Sequence, residues 1–163
     1  MAEFSFDVIS EFDASELTNT LDQARREVNT RFDFKDTATT YEHKGDTITV
    51  ESASEDRARA AYQVLVEKAA RRNLSPKLFK PGELKSVGKG RGQMEVKLNA
   101  GITDELAKDL QKRARAASAK VQVRIQGDQL RVTSKEKDSL QAVISALRDA
   151  DDIPVPLQFT NYR

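Results

Sequence analysis

The chain contains no cysteine, no tryptophan and a single histidine among its 163 residues. Without cysteine there is no disulfide frame, thiol nucleophile, iron–sulfur cluster or zinc–thiolate site. One histidine removes His-rich metal sites and most histidine-based general-base schemes. No run of apolar residues exceeds three, which excludes a membrane-spanning helix and the apolar core of a secretory leader. Hydrophobic residues make up 38% and charged residues 33%, so any core is thin and much surface is solvated. These absences predict a soluble, cytoplasmic, non-enzymatic protein with no catalytic residues, no metal, no cofactor and no membrane partner.

Charge of one sign is lacking overall but not locally. The net charge is +1, yet the first sixteen residues hold five acids and no base, and Lys85 to Lys135 holds 12 bases against 5 acids. Such a segment reads either as alternating solvated faces or as a local basic surface for an anionic ligand. A pI of 7.9 is too low for non-specific DNA coating.

What the sequence does have is a repeat. With an offset of 82 residues, Gly45-Asp46-Thr47-Ile48-Thr49-Val50-Glu51-Ser52 overlies Gly127-Asp128-Gln129-Leu130-Arg131-Val132-Thr133-Ser134. The phase continues into the next helix, where Asp56, Ala60 and Leu65 meet Asp138, Ala142 and Leu147. Each copy reads as strand, helix, strand, strand, helix, strand. In the first, Phe4, Phe6 and Val8 alternate with Ser5, Asp7 and Ile9. Asp13 caps a helix striped by Leu17, Leu21, Ala24 and Val28, with Glu16 completing a capping box. A hairpin turns at Gly45, and Ser52 or Ser54 caps a second helix from Glu55 to about Arg72. In the second copy, Met94, Val96 and Leu98 form the first strand. Thr103 caps a helix lined by Leu106, Leu110, Ala114 and Ala117. Val121, Val123 and Ile125 lead through Gly127 to Leu130 and Val132. The last helix carries Leu140, Val143, Ile144 and Leu147, and Val155, Leu157 and Phe159 close the unit.

The predicted class is α+β, with two ferredoxin-like βαββαβ sandwiches in tandem, each with helices on one sheet face and the other face open. In the second copy the open face carries Gln122, Arg124, Gln126, Gln129, Arg131 and Thr133.

Several segments resemble the YajQ family of bacterial proteins. They are Ser5-Phe6-Asp7-Val8-Ile9-Ser10, Arg31-Phe32-Asp33-Phe34-Lys35, Ile125-Gln126-Gly127-Asp128 with Arg131-Val132-Thr133-Ser134-Lys135, Asp138-Ser139-Leu140-Gln141-Ala142-Val143-Ile144, and Leu157-Gln158-Phe159-Thr160-Asn161-Tyr162-Arg163. They occur in family order over nearly the whole chain. The resemblance implies a cytosolic nucleotide-binding protein whose N-terminal strand is exchanged into the C-terminal domain's sheet. Residues 1–10 plus 93–163 then form one discontinuous domain, 11–81 an inserted one, and 82–92 a Gly/basic connector. The implied ligand is a purine nucleotide or cyclic dinucleotide, cyclic di-GMP included, acting through a transcription factor. RNA binding or RNA chaperoning on tRNA or rRNA is the alternative. Where many relatives have a Gly-Lys-Thr-like segment, this chain reads Val87-Gly88-Lys89-Gly90-Arg91-Gly92-Gln93, so no threonine hydroxyl is available there.

Three candidate sites follow. On the open face, Arg124 and Arg131 suit phosphate oxygens, Gln122 and Gln126 suit base edges, and Lys120 adds charge. Both arginines are expected to point outward, so replacing them should weaken nucleotide binding without unfolding. The loop around Lys89 and Arg91 reads as a flexible connector or as a phosphate contact; its spacing is not that of a P-loop. In the Arg31–Lys35 segment, Phe32 or Phe34 plugs the core, or Arg31 and Lys35 face an anion while a phenylalanine stacks on a base. His43 reads as a core-edge residue.

Overall fold

The computed structural model describes residues 3–163; Met1 and Ala2, expected with the first strand, lie outside the described residues. The chain forms two compact units, residues 3–11 with Ala100–Arg163, and Phe12–Asn99.

The first unit contains β1 (Phe4–Ile9), α3 (Asp104–Ala117), β6 (Gln122–Gln126), β7 (Gln129–Ser134), α4 (Lys137–Arg148) and β8 (Gln158–Thr160). Its strands form an antiparallel sheet in the order β6-β7-β1-β8. Alternation sets the faces. Phe6, Val8, Val123, Leu130 and Val132 point to the helices and are buried with Leu110, Val143, Ile144 and Leu147. Burying each such side chain contributes about 1.5–3 kcal/mol, which is what holds a sheet of short strands to two helices. Thr103 caps α3 by accepting from the Leu106 amide, as its spacing predicts. The buried stripe of α3 is Ala107, Leu110 and Ala114, with Leu106 and Ala117 at its margins. The closing strand is shorter than its pattern suggests: Ile153 and Val155 are buried ahead of it. Beyond it, Arg163 exchanges two backbone hydrogen bonds with Ser5.

The second unit contains α1 (Ala14–Thr30), β2 (Thr40–Lys44), β3 (Thr47–Ser52), α2 (Glu55–Arg71), β4 (Phe79–Val87) and β5 (Arg91–Leu98). Its sheet order is β2-β3-β5-β4, again antiparallel. The Asp13 carboxylate caps α1 by accepting from the Ser15 and Glu16 amides, and Ser54 caps α2. Glu16 does not reach back to close a capping box; its carboxylate pairs with Arg72 at 3.2 Å. The α1 stripe Leu17, Leu21, Ala24 and Val28 is buried as its spacing predicts. The hairpin glycines of both units, Gly45 at φ 58° and Gly127 at φ 62°, occupy the left-handed region that the two tight turns require.

The expected connector is corrected by the strand pairing. Residues 82–92 are the second half of β4, a tight turn at Gly88–Gly90 and the start of β5, paired from Ser86↔Gly92 to Val87↔Arg91. Met94, Val96 and Leu98 do alternate inward, but in the sheet of Phe12–Asn99, where Val96 faces Ile48 and Met94 faces Val50. Periodicity fixes which face a strand buries, not which sheet it joins.

Candidate functional site

The open face of the first unit is built by strand phase. Gln122, Arg124 and Gln126 on β6 are exposed, and Gln129, Arg131 and Thr133 on β7 are half-buried. Register pairs Arg124 with Arg131 and Arg131 with Asp7, so the three stand in one row across β6, β7 and β1. This row changes the electrostatics expected from sequence. Arg131 donates from Nε to Asp7 Oδ1 at 3.0 Å and from Nη2 to Oδ2 at 3.4 Å, and Asn161 Nδ2 donates to Oδ2 at 2.8 Å. Asp7 is 4% exposed. The Arg131 hydrogen bond, with help from Asn161, holds its carboxyl below the usual carboxylate range against the opposing effect of burial.

Arg131 is therefore committed within the sheet, and the expectation that it can be removed harmlessly is corrected: its loss strands a buried carboxylate. Lys120 is also engaged, with Nζ 3.1 Å from both carboxylate oxygens of Glu136. Arg124 differs. It is exposed, and among the described residues no carboxylate pairs with it. Gln122 and Gln126 flank it on the same face.

The other candidates lie in the second unit. The Arg91 guanidinium is engaged within the fold. It donates from Nε to Glu51 at 3.2 Å and from its two terminal nitrogens to the Thr37 and Ala38 carbonyls at 3.0 and 2.8 Å. Gly92 is glycine for packing: a Cβ there would collide with the backbone of Ser54 and Glu55. Lys89 sits in the turn at φ 64° and is exposed.

Arg31 ends α1. Its guanidinium bonds Asp33 at 3.0 and 2.7 Å and Glu27 at 3.3 Å. Of the two phenylalanines, Phe34 is the core plug at 3% exposure, whereas Phe32 is 87% exposed. Lys35 is exposed and among the described residues makes no ion pair. His43 is exposed, not at a core edge, and its Nε2 lies 2.9 Å from the Gly45 carbonyl. Sequence reasoning passed over Asp7, Asn161, Glu51 and Glu136 as partners. The phase of β1 does put Asp7 on the open face, but nothing local sets it opposite Arg131.

Among the described residues no group of three His, Asp or Glu side chains could hold a metal ion, and no helix is long and apolar enough to cross a membrane. Two small antiparallel sheets, each backed by two helices, define the class: a tandem ferredoxin-like α+β protein. Over residues 4–163 the chain matches the family described as nucleotide-binding protein YajQ-like, and it belongs to that family. It is 51% identical over 159 residues to a nucleotide-binding protein of Picosynechococcus sp., covering 98% of this chain and 97% of that one. A nucleotide-binding protein of Synechococcus elongatus is 50% identical over 159 residues with the same coverage. One from Nostoc punctiforme is 47% identical over 160 residues, 98% of each chain.

Proposed function

We propose that this protein binds an anionic purine nucleotide on the open face of β6 and β7 without turning it over, and does so in the cytoplasm. One observation carries the placement: Arg124 is exposed on a flat polar face and, among the described residues, has no carboxylate partner. A free guanidinium can take two phosphate oxygens at once, and the adjacent Gln122 and Gln126 amides can donate to or accept from a base edge. Arg131, neutralised by Asp7, stiffens the floor of the face without being the phosphate ligand. The relatives' names support the ligand class.

A cyclic dinucleotide such as cyclic di-GMP, read out by a transcription factor, is the narrower form of this proposal. Isothermal calorimetry with GTP, ATP and cyclic di-GMP on wild type and Arg124→Ala tests it. The expected result is binding of at least one ligand, weakened about tenfold or more by the substitution, as for loss of one charge-assisted contact. Unchanged affinity removes the site. Binding to RNA with a salt slope of several charges, and none to mononucleotides, favours an RNA-binding module instead.

A further inference from the structure

The loop that joins α1 to β2 has features the fold does not explain. Phe32 is 87% exposed, although an aromatic side chain gains stability by burial. Its exposure is imposed. The flanking Arg31 bonds Asp33 through two nitrogens, and Arg57 from α2 donates to the Asp33 carbonyl at 3.2 Å. Both guanidiniums lie over the buried Phe34 ring, 5.2 and 5.7 Å from its centre. A short 3-10 turn over Phe32–Phe34 then aims Phe32 outward.

The loop is also strained and braced. Asp36 and Ala38, neither a glycine, hold φ at 61° and 47°. Such residues are strained and persist only where surrounding contacts enforce them. Here the contacts are the two Arg91 hydrogen bonds to the Thr37 and Ala38 carbonyls and the Thr37 hydroxyl bonded to the Phe34 carbonyl at 2.6 Å. The braced loop borders a cavity of about 420 Å³ whose lining includes Phe32, Lys35, Thr37 and Thr39. That volume is in the range of small-molecule sites.

We propose that this loop is a second nucleotide site, with a purine base stacked on Phe32 and its phosphate held by Lys35. An exposed ring beside an unpaired ammonium supplies the two elements that a phosphorylated base needs, stacking and charge neutralisation. A protein partner would want a broader apolar patch than one ring amid threonines, lysine and aspartate. The inference rests on the nucleotide-binding reading above but uses different residues on a different sheet's connection.

The chain's lack of tryptophan provides the experiment. Phe32→Trp creates a single indole at an exposed position, which a stacked purine quenches. GTP is titrated into this variant by fluorescence. In parallel, calorimetry follows GTP binding to wild type, Phe32→Ala, Lys35→Ala and Arg124→Ala. Saturable quenching is expected, with weaker quenching by guanosine, which lacks phosphate. Phe32→Ala and Lys35→Ala should each lose about tenfold in affinity for one class of sites, while Arg124→Ala leaves that class unchanged. Calorimetric binding that Arg124→Ala weakens and the loop variants do not, with no quenching, overturns this inference and leaves the open-face reading standing. Quenching by an oligoribonucleotide but not by GTP overturns the mononucleotide assignment. No heat with wild type together with no quenching of Phe32→Trp overturns both.

Discussion

The guanidinium of Arg131 meets the carboxylate of Asp7 across the β1–β7 pair, Nε to Oδ1 at 3.0 Å, between residues 124 positions apart in the chain. The acid is nearly inaccessible while its partner is half-exposed, so the pair is asymmetric. Removing Arg131 leaves a buried charge with Asn161 as its remaining donor; removing Asp7 leaves a base that water can reach.

Arg131→Ala should accordingly destabilise the protein by about 1–3 kcal/mol in urea unfolding. The penalty should depend on pH. The depressed pKa of Asp7 means that its contribution to stability is present above the unfolded value near ~4 and is lost as the pH falls through the lower folded value. The gap between Arg131→Ala and wild type should therefore close toward pH 3. A gap that is constant across that range would show that the pair does not set it.

Arg124→Ala, one strand away, should leave the unfolding free energy in urea within about 0.5 kcal/mol of wild type, since an exposed side chain without an ion-pair partner is removed. Its effect should fall on nucleotide affinity alone. The expected non-destabilising double replacement of Arg124 and Arg131 is thus replaced by the single one.

Gly92→Ala should be among the most damaging single changes in β5. The added methyl meets the Ser54 and Glu55 backbone at the start of α2, and backbone cannot swing aside as a side chain end can. A loss of about 1–3 kcal/mol is expected from overpacking. Gly88→Ala, with open space around it, should be close to neutral when the two variants are compared by thermal melting. Equal losses at the two positions would refute the close-approach explanation.

The Tyr41 hydroxyl donates to the Ala61 carbonyl at 2.6 Å, and burial pushes its pKa well up. A raised folded pKa means that stability is fully present below the unfolded value near ~10 and is lost as pH rises beyond it. Tyr41→Phe should cost about 0.5–1.5 kcal/mol at neutral pH and flatten the alkaline decline above pH 10, measured by circular dichroism. An unchanged alkaline decline would place its cause elsewhere.

The resemblance and the site were not equally readable. Arg31-Phe32-Asp33-Phe34-Lys35 is one of five segments that together carry the family resemblance, but which phenylalanine is core and which is solvent is decided by a 3-10 turn and by Arg57, which comes from another helix. The Gly88–Gly92 run invites a phosphate reading as a string; in space one glycine clears a helix start and Arg91 braces a loop.

By itself the sequence determined most of the local elements: four helices, three of them with side-chain caps, two Gly-turned hairpins, two repeats and the buried face of the strands that alternate, because caps, turns and periodicity act over a few residues. Only the tertiary structure decided that β5 lies between β3 and β4, that Asp7 neutralises Arg131, and that Arg124 stays unpaired. Those outcomes depend on strand register and on contacts between residues far apart in the chain, and alternation along a strand carries no information about the partner that will lie beside it.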